Sequence, residues 1–369
     1  MGAMSRLYWF VAAGTGGHIF PGIALAREIA RRDPSAEFLF FGTKDRLEAK
    51  LVPQAGFPIR YLSAGAWKGR GLIGRVVGMA RLAIGFFQAL RLTFGAKPLC
   101  LVSVGGYVSA PTALACVVRG IPLYLVEPNI RAGLANRLLS RFARQAFTVP
   151  GGDAMELFAC PVLDAGNPVR EGLRPTEIRA EAKRVLVFGG SQGAAALVRE
   201  SISIAKRLRF AERGLVLCLQ TGEKNLETAE RLKREAGLGT EVELKPFIDD
   251  VNATLAATDV VIARAGAMTV AELAVAGLPT IFVPFPHAAD DHQRYNSRIL
   301  ESAGAAKLCD ERDDGFSAKL ESAVKELCLD EGHFERRRRL SEAFRRIGRP
   351  KAVETITELL LSKTGTPGR

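Results

Sequence analysis

Short apolar runs alternate with stretches of helical period along almost the whole chain. In the first half, Leu7–Ala13, Glu37–Phe41, Leu99–Val104 and Leu123–Val126 read as strands, with helices over His18–Arg31 and Ala110–Arg119. The second half repeats the alternation. Strands are predicted at Val185–Phe188, Leu215–Leu219, Glu241–Lys245, Val260–Ala263 and Thr280–Val283, and helices at Ala194–Leu208, Leu226–Ala236, Val251–Thr258 and Thr269–Ala276. Strand-helix alternation of this kind predicts parallel sheets with helices on both faces. The fold class is therefore α/β, with two Rossmann-like parallel-sheet domains facing a cleft. Pro161, Gly166, Pro168, Gly172 and Pro175 mark an interdomain linker, which divides the chain into an N-terminal domain at 1–165 and a C-terminal domain at 166–349. A last helix, Val353–Leu361 within the segment 350–369, is expected to pack back on the first domain. The run Arg336–Arg339 reads as one solvated helix face.

Two of the strand-to-helix turns are glycine-rich and lie about half the chain apart. Leu7–Ala13 runs into Gly14-Thr15-Gly16-Gly17-His18, and Val185–Phe188 into Gly189-Gly190-Ser191-Gln192-Gly193. A strand, a turn that glycine makes without strain and a helix N-terminus with open N–H groups form a phosphate-sized anion site. Neither turn follows G-x-G-x-x-G, since Ile19 stands in place of the third glycine and the other reads G-G-S-Q-G, which weakens a nicotinamide reading. Ligands of open α/β sheets bind beyond the carboxyl ends of the strands. The residues to read there include Gly105-Gly106-Tyr107, Glu127-Pro128-Asn129, Phe247-Ile248, Arg264–Thr269 and Pro284–His287. A helix beginning near Thr269 offers N–H groups and a hydroxyl to phosphate, and Glu272, one turn further in, suits the hydroxyls of a ribose.

The chain of 369 residues suits two domains of ~150–180 residues each. Its six cysteines show no C-x-x-C spacing, so they form neither a zinc site nor a disulfide framework, and a reducing cytosol is the expected compartment. The opening Met1-Gly2-Ala3-Met4 is expected to lead straight into the first strand, so no secretory leader is expected. Charge changes the picture more. The net charge is +12, and no Asp or Glu occurs from Ala49 to Val126, where Lys50, Arg60, Lys68, Arg70, Arg75, Arg81, Arg91, Lys97 and Arg119 alternate with large apolar residues. A membrane-crossing helix needs ~20 predominantly apolar residues, and Arg75, Arg81 and Arg91 are expected to interrupt each candidate window. The segment is instead expected to dock on an anionic membrane surface, at about 1 kcal/mol per well-placed Lys or Arg. No nucleic-acid-binding motif accompanies it, and nucleic acid is not an expected partner.

Several blocks resemble one family, in the family's own order. They are Gly14–Ala26, Gly105-Gly106-Tyr107, Gly133-Leu134-Ala135-Asn136-Arg137, Gly166-Asn167-Pro168-Val169-Arg170, Gly189–Gly193 and Pro284–Asn296, and they are similar to the MurG family of bacterial N-acetylglucosaminyltransferases. The resemblance covers nearly the whole chain. It implies a GT-B fold, transfer of N-acetylglucosamine from UDP-N-acetylglucosamine to lipid I to give lipid II, the acceptor on the N-terminal domain, the donor mainly on the C-terminal domain, and a peripheral place on the cytoplasmic face of the cell membrane. It implies no cofactor and no metal. Carried over by position, Thr15, Gly16 and Gly17 lie by the sugar and the acceptor diphosphate, and Asn129 holds sugar hydroxyls. Arg170 and Ser191 lie near the nucleotide, Ile248 presents backbone groups to uracil, and Ala267, Met268, Thr269 and Val270 cap the diphosphate. Ala271 belongs to the same donor segment, Glu272 takes the ribose and Gln293 contacts the N-acetylglucosamine. This chain has Val126-Glu127-Pro128-Asn129 where the family usually has His-Glu-Gln-Asn, and the proline removes a donor and fixes φ.

An α-linked sugar nucleotide attacked from the opposite face by the C4 hydroxyl of N-acetylmuramic acid gives a β linkage in one inverting displacement. That chemistry needs a base and a stabilised leaving group. His18, at the tip of the first turn, is the candidate base, with a hydrogen-bonding or turn-capping role as its alternative. His287, on the nucleotide side, is a second candidate, read first as a substrate-binding or structural residue. Helix N-termini can meet the charge developing on UDP, and no D-x-D motif offers a metal–diphosphate site; the pairs Asp290-Asp291 and Asp249-Asp250 read as a cap and a solvated loop. Tyr107 and Glu127 are candidate acceptor contacts. Other GT-B transferases, a sugar-nucleotide 2-epimerase and a non-catalytic membrane-docked binding subunit remain open at this point.

Overall fold

Every apolar run that the pattern singles out is a strand of one of two wholly parallel sheets. The structure, a computed structural model, describes residues 6–65, 72–188, 195–288 and 291–365. The chain falls into two compact units, Met1–Glu171 with Arg349–Arg369, and Gly172–Gly348.

The first unit runs β1 (Arg6–Ala12), α1 (Gly16–Arg32), β2 (Ala36–Gly42), α2 (Glu48–Gln54), β3 (Ile59–Tyr61), α3 (Leu72–Gly95), β4 (Cys100–Gly105), α4 (Ser109–Val118), β5 (Leu123–Val126), α5 (Leu134–Leu139), β6 (Gln145–Thr148), α6 (Ala154–Leu157) and β7 (Val162–Asp164). Its strand order is β3-β2-β1-β4-β5-β6-β7 among the described residues. Successive side chains of a strand point to opposite faces, and here both faces are buried. Tyr8 and Phe10 belong to one apolar cluster, Trp9 and Val11 to the other. That double burial is why β1 is continuously apolar rather than alternating.

The second unit runs β8 (Arg184–Phe188), α7 (Ala195–Arg207), β9 (Val216–Gln220), α8 (Leu226–Glu235), β10 (Val242–Lys245), α9 (Val251–Ala256), β11 (Val260–Ala263), α10 (Ala267–Ala276), β12 (Thr280–Phe282), α11 (His292–Ser302), β13 (Lys307–Leu308), α12 (Phe316–Cys328) and α13 (His333–Ile347). The strand order is β10-β9-β8-β11-β12-β13. Val185 and Val187 face one core cluster, Leu186 and Phe188 the other. The chain then returns to the first unit as α14 (Ala352–Lys363), whose Ile356, Leu360 and Leu361 share the cluster of Tyr8 and Phe10. Arg349 pairs with Asp164 at 3.1 Å where the chain re-enters.

Each sheet winds outward in both directions from its first strand. The order reverses between β1 and β4 in one unit and between β8 and β11 in the other. In open α/β sheets such switch points are where ligands bind, outside the carboxyl ends of the strands. The loops that matter are therefore those leaving β1 and β4, and those leaving β8 and β11.

Two expectations are corrected. Arg337 is not part of a solvated face. It is fully buried on the side of α13 that carries Leu340, Ser341 and Phe344, donates to the Ala180 carbonyl at 2.9 Å and lies 3.1 Å from His333 Nδ1. Nor do arginines break every long apolar window: Val76–Gly95 is long and apolar enough by length and composition to cross a membrane, with a mean hydropathy of 1.3, because Arg75 precedes the window and only Arg81 and Arg91 fall inside it. In this fold one edge of the helix is a packing surface, with Ala89 and Thr93 buried and Gly85 so close to the Ser63 carbonyl that a Cβ there would collide with it. The rest is open. Only 22% of the window is buried, Phe87 and Phe94 are 66% and 69% exposed, and the Arg119 guanidinium sits 4.3 Å above the Phe94 ring.

Candidate active site

The first switch point is built on glycine. Gly14 leaves β1 at φ +99, a region that costs an L side chain strain, and Thr15 caps α1 in an extended conformation. The amides of His18 and Ile19 bond back to the Thr15 carbonyl at 3.0 and 3.1 Å. Gly16 and Gly17 open the helix, so their amides have no carbonyl one turn back to bond, and the first turn carries no acid to repel an anion. The His18 ring is placed from two sides. Thr15 Oγ1 lies 3.3 Å from Nδ1, and the opposite ring edge lies against Gly105, where a Cβ would come within 2.9 Å of Cδ2 and 3.0 Å of Nε2. Gly105 and Gly106 have φ +127 and +101, and a Cβ on Gly106 would run into the Ala13 carbonyl oxygen. Only glycines let the β4 exit lie this close to the β1 exit. Tyr107 follows, half-exposed, ahead of α4.

Glu127, at the end of β5, is 2% exposed and turned into its own loop. Its Oε1 accepts from the Asn129 amide and Nδ2, both at 3.1 Å, and its Oε2 from Gly133 N and Asn136 Nδ2, both at 3.0 Å. Burial pushes this carboxyl above the usual range, and the donors from Gly133, Asn129 and Asn136 pull it back in part. The carboxylate thereby sets the loop that carries Asn129. Pro128, which cannot donate, uses its carbonyl instead, accepting from Asn167 Nδ2 at 2.8 Å. Arg170 lies in the same unit, in the segment after β7.

In the second unit, Ser191 and the rest of Gly189–Gly193 lie outside the described residues. The loop leaving β11 is fully described. Helix α10 begins at Ala267, two residues ahead of the expected start, because extended Gly266 acts as N-cap. The amides of Ala267 to Thr269 therefore stand in the first turn, and Val270 N makes the first backbone bond back, to Gly266 O at 2.9 Å. Ala271 follows in the helix, and Glu272 is buried, as are Met268, Val270 and Leu273. Ile248, after β10, is buried, while Phe247 beside it is exposed. Gln293, on α11, accepts from Phe285 N through Oε1 at 3.0 Å. With its oxygen so engaged, the amide nitrogen is the end left to act as a donor. His287 lies on the exposed loop after β12, edge-on to Phe285. Asp250, expected in a solvated loop, instead caps α9, accepting from Ala253 N at 2.8 Å, whereas Asp291, at the N-cap of α11, makes no side-chain cap bond.

Residues 8–148 match the glycosyltransferase family 28 N-terminal domain, and residues 184–348 the C-terminal domain of the same family. The chain is also 41% identical over 362 residues to the UDP-N-acetylglucosamine--N-acetylmuramyl-(pentapeptide) pyrophosphoryl-undecaprenol N-acetylglucosamine transferase of Anaeromyxobacter dehalogenans (strain 2CP-C), covering 96% of this chain and 93% of that one. The chain belongs to glycosyltransferase family 28. Among solved structures, MurG of Acinetobacter baumannii superposes with a TM-score of 0.79 at 27% identity, covering 97% of this chain and 99% of that one. A putative UDP-N-acetylglucosamine 2-epimerase from Listeria monocytogenes has a TM-score of 0.68 at 14% identity, covering 98% of each chain, a likeness of fold alone.

Two supports of this family 28 site escape a reading by motif. Arg264, just before Gly266, donates through Nη1 to the carbonyls of Val283 and Pro284 at 3.1 and 2.9 Å and pairs with Glu311 at 2.7 Å. It ties the exits of β11, β12 and β13 together. Glu48 does the same for β1 and β2, accepting from Gly14 N and from Thr43 N and Oγ1. The signal for Glu48 was positional: it shares the α2 face of Leu51, Val52 and Ala55, so a carboxylate was aimed at the core.

Proposed function

We propose that this chain transfers N-acetylglucosamine from UDP-N-acetylglucosamine to the C4 hydroxyl of the N-acetylmuramic acid of lipid I, giving lipid II and UDP. The observation that carries the reading is a pair of glycine-led helix N-termini, each at the switch point of its own sheet, in a family 28 chain that matches a named lipid-precursor transferase along nearly its whole length. The O4 oxygen attacks C1 of the sugar from the face opposite the leaving group. The C1–O bond to the β-phosphate breaks, and the imidazole of His18 takes the O4 proton. The helix N-terminus of α10 meets the charge that collects on UDP. Glu272 binds the ribose, Ile248 the uracil, and the Gln293 amide nitrogen a sugar oxygen. Thr15, Gly16, Gly17 and Asn129 contact the sugar and the acceptor diphosphate, with Arg170 near the nucleotide and Tyr107 on the acceptor side.

The acceptor is a membrane lipid, and the exposed face of α3 suits that. Val76, Met79, Ile84, Phe87 and Phe94 stand outward with Arg81, Arg91 and Arg119 among them. Such a surface fits peripheral docking on the anionic cytoplasmic leaflet of the cell membrane. The product tests the reading. Incubation with UDP-N-acetylglucosamine and a short-chain lipid I analogue should add one N-acetylhexosamine mass, with the large anomeric proton coupling of a β linkage. A small coupling, or no mass gain on the analogue, contradicts it.

A further inference from the structure

A buried carboxylate with no place in the proposed chemistry stands directly behind the first glycine turn. Glu48, the first residue of α2, is 1% exposed. Its Oε2 accepts from Gly14 N at 3.0 Å, and its Oε1 accepts from Thr43 N and Thr43 Oγ1, both at 3.0 Å. Gly42 leaves room for it, since a Cβ there would collide with Glu48 Cγ. The acid therefore pins the exit of β1 to the exit of β2. The pinned amide belongs to Gly14, whose φ of +99 begins the turn that ends at His18. We infer that Glu48 is the positioning residue of the Gly14–His18 turn, holding Gly14 in its left-handed conformation and, through it, fixing the His18 imidazole against Gly105. The catalytic part of this inference rests on the reading of His18 as base.

A carboxylate is the group this place needs, because both of its oxygens accept. A glutamine presents one oxygen and one NH2, so either Gly14 N or Thr43 N loses its acceptor while the shape stays the same. Loosening the turn displaces the base, and misplacement by about 1 Å costs about 100-fold in rate. Thr15, Gly16 and Gly17 of the pinned turn are proposed sugar contacts, whereas the proposed uracil and ribose contacts, Ile248 and Glu272, belong to the other unit.

The test is Glu48→Gln, with Thr43→Val as a milder loosening of the same carboxylate. In Glu48→Gln, kcat should fall by about 10- to 100-fold, while the calorimetric affinity for UDP, which lacks the sugar that the turn contacts, stays within about twofold of wild type. Of the four histidines, only the His18 ring should shift its Cε1–H resonance and its titration midpoint in carbon–proton correlation spectra. Thr43→Val should move the same resonance by less. A His18 resonance and titration unmoved in both variants overturns the inference, as does a rise in KM with kcat unchanged. The spectra read the positioning directly, so a wild-type protein without transferase activity would remove the functional reading and leave the test of Glu48 intact.

Discussion

Replacing Gly105 with alanine should separate stability from catalysis at this site. Gly105 sits at φ +127, and a non-glycine residue in so sparsely populated a region costs about 1–3 kcal/mol. In a unit of this size each kcal/mol lowers Tm by about 2–4 °C, so a cost near 2 kcal/mol should lower Tm by about 4–8 °C. The new Cβ would also lie 2.9 Å from His18 Cδ2 and 3.0 Å from Nε2. Carbon atoms rest at about 3.5–4.0 Å, so the ring must withdraw by roughly 0.5–1 Å, a displacement worth about 100-fold in rate for a positioned base. Gly120→Ala supplies the control: φ is +67 there and nothing lies within 4 Å of the added Cβ, so it carries strain without a ring contact. Steady-state transfer to a lipid I analogue and thermal melts of both variants give the comparison. If Gly105→Ala melts early yet keeps kcat within threefold of wild type, His18 is not the positioned base.

Glu272→Ala should raise the KM for UDP-N-acetylglucosamine by about 10-fold or more, the worth of hydrogen bonds to a charged group, and leave that for the lipid analogue nearly unchanged; equal effects on both contradict the ribose role. Arg81→Glu with Arg91→Glu should weaken binding to anionic vesicles by at least about 30-fold, at ~1 kcal/mol for each charge removed and more for each reversed, and sedimentation with unchanged binding would rule out docking through α3. His333 is held below its ordinary 6.5 by burial first and then by Arg337 and Arg336. The unfolded chain therefore takes up the proton at higher pH than the folded one, so this residue's stabilising share is complete above 6.5 and is lost as pH falls through the lowered value. Wild type should lose more Tm than His333→Gln between about pH 7.5 and 5, and parallel losses would contradict the assignment.

The central strands were legible because burial on both faces makes them plain apolar runs, as in Val185–Phe188 and Val260–Ala263. Four other strands were not. Ile59–Tyr61, Gln145–Thr148, Val162–Asp164 and Lys307–Leu308 are short, and Val162–Asp164 sits within a stretch whose prolines and glycines read as linker. The glycine turns announced the binding loops, since the positive φ at Gly14, Gly105 and Gly106 is a demand on residue type that sequence records directly. Buried charges left weaker traces. Arg337 within an arginine run, and Glu127 in a loop whose four donors come from residues up to Asn136, reveal their burial only when side-chain direction and long-range partners are known.

Release of UDP from UDP-N-acetylglucosamine, measured with and without a short-chain lipid I analogue and in the presence of EDTA, decides whether this chain transfers the sugar to the lipid. Release should require the analogue and survive chelation. Tight UDP binding with no analogue-dependent release would contradict that transfer.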